Sequence, residues 1–157
     1  MTITWKLDVR RQTTSPRRSQ RPGSSPERRR PDRSTVADVA RARDEKMEPD
    51  LLRRLSAAVQ AGTTILTIAN SQPNKVVDIG PDGVWINTDK SSNERGPQLV
   101  PAWMLNEAWA HLTADRSLSN TDLIKTVKRS SAVLALLRQL PGVTVVSTRP
   151  VVLRLAT

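Results

Sequence analysis

Ser119-Asn120-Thr121-Asp122-Leu123-Ile124-Lys125-Thr126-Val127-Lys128-Arg129-Ser130-Ser131-Ala132-Val133 is the stretch on which the reading of this chain turns. Ser119 and Asp122 have capping-box spacing, and Leu118 and Leu123 occupy the two positions of a hydrophobic staple. A helix is therefore predicted to start at Asn120 and run to about Val127. After Lys128-Arg129-Ser130-Ser131 a further helix is predicted to reach Leu140, where Pro141-Gly142 stops it. With Val133 at the origin of a helical wheel, the inward arc holds Val133, Leu136, Leu137 and Leu140. The outward arc holds Ser131, Leu134, Ala135 and Arg138. An outward Leu beside an Ala suits contact with another protein, whereas Ser, Lys and Arg suit phosphates and base edges.

Upstream, Pro101 opens a predicted helix that ends at about residue 112 or 113. Leu105, Ala108, Trp109 and Leu112 share one arc, and Trp103 lies about 160° from Leu105 at roughly 100° per residue. Both sides of this helix are thus expected to be covered. His111, the one histidine, falls beside Met104 at the border of the arc and reads as a core-edge residue, not a catalytic one. Downstream, residues 143–147 and 151–156 are predicted strands joined by the turn Thr148-Arg149-Pro150.

Helix, short helix, tight turn, helix and hairpin, in that order, resemble a winged helix-turn-helix over residues 101–157. The resemblance implies a third helix in the major groove of DNA and a hairpin tip at phosphates or the minor groove. On this chain it implies contacts from Lys128, Arg129, Ser130, Ser131 and Arg138, with Arg149 at the wing and Lys125 approaching from the second helix. Winged helices also serve dimerisation and docking. In that alternative the surface is Leu134 with Ala135, and the partner is a protein or a second copy of the chain.

Residues 49–100 read as a helix followed by a small antiparallel β meander. Pro49 suits a first helical turn, Asp50 favours the positive end of the dipole, and Leu51, Leu52, Leu55 and Val59 form an apolar stripe that Gly62 ends. Three strands are predicted, at 63–69, 76–79 and 84–87, separated by turn chemistry at 70–74 and at Gly80-Pro81-Asp82-Gly83. A polar loop follows at 89–96. Pro81-Asp82 with Asp89-Lys90 is similar to a restriction-type nuclease signature, but Asp89 and Lys90 are adjacent and would point to opposite faces of a strand. A non-enzyme is therefore expected. Joining a small β module to a winged helix is similar to auxiliary domains of restriction and phage-defence proteins.

Charge is unevenly spread over the 157 residues. The formal net charge of +10 divides into +7 for residues 1–34, −1 for 35–99 and +4 for 100–157. Residues 1–34 are rich in Arg, Pro and Ser and are expected to be a disordered basic tail, too poor in apolar groups to offset the entropy of ordering. Such a tail could grip phosphates, or could be inert. Translation starting at Met47 would remove it. Residues 35–48 read as a weak helix or a linker. With no cysteine there is no disulfide, thiolate or zinc finger, and a single histidine excludes paired-histidine metal sites. No cofactor or metal is expected. No apolar run is long enough to span a membrane or serve as a signal peptide, so no membrane partner is expected and the expected compartment is the cytoplasm. The chain is thus predicted to be an α+β, non-catalytic DNA-binding protein.

Overall fold

A computed structural model describes residues 45–89 and 96–157. The tail 1–34, the first ten residues of the weak helix or linker, and Lys90 lie outside the described residues. Residues 45–48 form no helix: they are spread along the fold and held by specific bonds. Met47 is buried and its amide donates to the Pro81 carbonyl at 2.6 Å. The Asn106 carboxamide donates to Glu45 Oε1 and to the Lys46 carbonyl, and accepts from the Glu48 amide. The backbone groups a helix would need here are spent on these partners. Glu45 and Lys46, which precede Met47, thus belong to the folded unit.

The first helix, α1, is Pro49–Ala58. Leu51, Leu55 and Val59 bury its stripe and Leu52 is half-buried. Asp50 sits in the first turn and accepts from Arg54 Nε at 2.6 Å and from Arg53. These two guanidinium groups, Arg54 first, hold its carboxyl below the ordinary value. The helix ends at Ala58 and not at Gly62, because Val59 is already extended; Gly62 takes φ +89° in the following turn.

Four strands follow: β1 (Thr64–Leu66), β2 (Pro73–Gly80), β3 (Gly83–Thr88) and β4 (Gln98–Pro101). They pair antiparallel in chain order, so the meander has four strands where three were predicted. Its inner face carries Ile65, Asn74, Val76, Val84, Ile86 and Val100, all buried. At Gly83, φ is +141°, and a Cβ there would overlap the Val100 carbonyl oxygen and sit 3.0 Å from the Ala102 amide nitrogen. Only glycine lets β3 start this close to β4.

Helix α2 (Ala102–Asp115) packs on β3 and β4 on one side and on the C-terminal sheet on the other. Trp103 and Leu105, nearly opposite on the wheel, are both buried. His111 corrects the sequence reading: its side chain is about half exposed, between Glu107 and Asp115. Arg116 adopts left-handed geometry and turns the chain into β5 (Ser117–Ser119), a strand the sequence reading took as turn and cap. Helix α3 (Asn120–Leu123) is shorter than predicted; the Ser119 hydroxyl accepts from the Thr121 amide at 3.2 Å, and Leu118 and Leu123 are both buried. Then come α4 (Ser130–Leu137), β6 (Val143–Thr148) and β7 (Val151–Leu155). The second sheet has the order β5-β7-β6, antiparallel throughout. The residues described make an α+β structure around one continuous apolar core.

Candidate nucleic-acid interface

Helix α4 and the residues flanking its two ends hold most of the predicted contact residues, and the surroundings of the helix decide what they can reach. Besides α2 and α3 it packs against β1 of the first sheet. The arc that faces away from the C-terminal unit is therefore covered. Leu134 is 1% exposed and Ala135 0%, which corrects their reading as a docking surface. A wheel of residues 101–157 alone leaves that side of the helix open, but β1 of the β module occupies it. A helix apolar on all sides is a buried helix. Ser130, also predicted to touch DNA, is buried at the helix start.

The ends of the helix remain open. Lys128 and Ser131 are exposed at its N-terminal end, where no side chain caps the first turn. The leading amides and the positive end of the helix dipole are thus placed beside a lysine and a hydroxyl, an arrangement that attracts anions. Arg138 is exposed at the C-terminal end. Arg149 is exposed at the β6–β7 turn. Arg154, not singled out from sequence, is exposed on β7 between Ser117 of β5 and Thr144 of β6.

Two predicted cations are engaged elsewhere. Arg129 is half-buried and donates from one guanidinium nitrogen to the Leu99 carbonyl of β4 at 2.8 Å. It ties the turn before α4 to the edge of the first sheet. Lys125 is exposed but lies 3.4 Å from the Asp122 carboxylate, in a groove of about 340 Å3 that Asp115 and His111 also line. Acidic neighbours make that groove a poor phosphate site. Lys128, Arg129 and Ser131 instead line one cleft together with Thr67, Asn74, Ile86, Thr88, Gln98 and Ala132. Asn74, in a segment whose composition predicts a turn, stands on β2 and is buried, and nothing in its sequence neighbourhood marks it.

Of the nuclease-like signature, Asp82 precedes β3 and Asp89 follows it, so the two described carboxylates stand at opposite ends of that strand. Asp82 sits in the β2–β3 turn, where it is exposed and paired with Lys46. Among the described residues no group of three His, Asp or Glu is placed to hold a metal ion. No described helix is long and apolar enough to cross a membrane. Comparison of the chain with protein-family models, characterised proteins and solved structures finds no match.

Proposed function

We propose that the protein is a non-catalytic nucleic-acid-binding protein that grips DNA by its phosphates through the open ends of α4 and the β6–β7 hairpin. The observation that carries the reading is the pairing of exposed Lys128 and Ser131 with the uncapped start of α4. Support for a winged-helix reading of residues 101–157 comes from the element order helix, strand, helix, helix, hairpin and from the sheet order β5-β7-β6. In this reading the hairpin tip with Arg149 is the wing. The body of α4 is covered, so contact runs through Lys128, Ser131, Arg138 and Arg149, and not along the length of the helix in a groove. Such a grip is largely independent of base sequence.

The test is a salt series of duplex titrations on the full chain, wild type against Lys128→Ala, Arg138→Ala and Arg149→Ala. Affinity is expected to fall linearly in log–log form with salt. Each replacement should weaken binding by about threefold to tenfold and lower the salt slope by about one. Binding that is indifferent to salt and to all three replacements would overturn the reading.

One observation favours a second reading, a protein partner or homodimer. On the outer face of the first sheet Trp85 is 40% exposed and Leu66 47%, with Leu99 paired opposite Trp85. This face carries exposed apolar groups, whereas Leu134 is buried. A Trp85→Lys chain that sediments as a smaller species than wild type would support it.

A further inference from the structure

Past the end of its helical cover, the inner face of the first sheet opens into the cleft beside α4, with a volume of about 250 Å3. Its floor is made of cross-strand pairs: Asn74 opposite Thr88, and Ile86 opposite Gln98. Its wall is Lys128, Arg129, Ser131 and Ala132. Asn74 is only 4% exposed, and none of the side-chain hydrogen bonds between described residues involves its carboxamide. A carboxamide offers two donors and an acceptor to whatever occupies the cleft it lines. Gln98 adds a second carboxamide on the same floor, and Ile86 an apolar surface between them. The cleft thus combines two kinds of recognition. The head of α4 with Lys128 suits an anion. The two carboxamides and Ile86 suit a flat, heteroatom-edged group.

We propose that this cleft holds one unpaired nucleotide of a nucleic-acid strand. Its phosphate lies against Lys128 and Ser131 at the head of α4, and its base lies over Ile86 with its edge read by Asn74 and Gln98. The proposal rests on the nucleic-acid reading above and narrows it, since a base inside a duplex cannot present its pairing edge to a cleft of this shape. Arg129 acts here as a positioning residue, because its bond to Leu99 fixes the wall against the floor.

The experiment measures anisotropy of the full-length protein with a labelled single-stranded 12-mer and with the matching duplex. Wild type is compared with Asn74→Leu and Lys128→Ala. Leu replaces the carboxamide with a group of similar size, so the cleft keeps its walls and loses its hydrogen bonds. Asn74→Leu is expected to weaken single-strand binding about tenfold and leave duplex binding within about twofold. Lys128→Ala should weaken both. If Asn74→Leu does not fold, Asn74→Ser is read in the same way. Single-strand binding unchanged in the Asn74 variant, with duplex binding intact, overturns the cleft proposal and leaves the nucleic-acid reading standing. A wild type that binds neither probe overturns both.

Discussion

The two sheets are assembled in different ways, although both lean on α2. In the first, each strand pairs with the next in sequence, so the sheet closes through short connections. In the second, the last strand of the chain lies in the middle, and β5 cannot pair until β7 has been brought back across two helices: Ser117 stands opposite Arg154. Closing a long loop costs entropy that must be recovered from contacts made elsewhere. The contacts that recover it are those of α2 and α3, both of which pack on β5 and β7. The first sheet can therefore form from local pairing, whereas the second depends on its helices. Helix α4 joins the two, because β1 covers the side that the C-terminal unit leaves open.

The largest expected effect comes from breaking that joint. Leu134→Ala should cost about 3 kcal/mol in urea unfolding, the usual range for emptying a fully buried leucine site. Leu134→Asp should leave no cooperative transition at all. An exposed Leu134 would give a change within about 0.5 kcal/mol for the alanine variant. Next in size, Gly83→Ala forces a side chain into the Val100 carbonyl and should cost about 2–3 kcal/mol. Hydrogen exchange would sharpen the comparison: protection should fall at residues 84–86 and 98–100 while β6 and β7 keep theirs. Equal loss in both sheets would mean that they unfold as one unit and that the distinction has no energetic content.

The smallest effect lies at the start of α1. The Asp50 carboxyl is held below its ordinary value by Arg54 and Arg53, so its contribution is full above the unfolded aspartate range. That contribution disappears as pH falls through the lowered folded value. Asp50→Asn should therefore slightly lower the thermal midpoint at neutral pH, and the difference from wild type should vanish in acid. The group is exposed and the effect is correspondingly modest.

Much of this architecture is legible in the residues, and the gaps have physical causes. The staple of Leu118 and Leu123 and the β6–β7 hairpin are local signals and lie where the spacing puts them, whereas α4 ends at Leu137, three residues before the Leu140 end predicted from Pro141-Gly142. Trp103 opposite Leu105 correctly implies a helix covered on two sides. Strand β4 leaves no local signal because Pro97 and Pro101 bracket only Gln98, Leu99 and Val100, too few residues for alternation to show. Strand β5 has one apolar residue between two serines and owes its place to β7, far along the chain. A wheel of the C-terminal unit alone turns Leu134 outward, although Val133-Leu134-Ala135-Leu136-Leu137 has no polar side to offer water and all five are buried. Of the contact residues, Lys128, Ser131, Arg138 and Arg149 are as accessible as their charge or hydroxyl suggests. Asn74 and the engagement of Arg129 depend on sheet register, which no local pattern encodes.

The bond from Arg129 to Leu99 also bears on how the protein behaves at high concentration. Strand β4 is an edge, and edges with free outward amides and carbonyls invite pairing with another chain. Val100 and Ala102 are bonded inward, as the Ala102 amide to the Asp82 carbonyl shows, so Leu99 and Pro101 point their backbone groups outward. Pro101 has no N–H to offer there, and the Leu99 carbonyl is already taken by a guanidinium. Arg129, which ties the turn before α4 to the sheet, thus also blunts an aggregation-prone edge, and removing it would cost solubility.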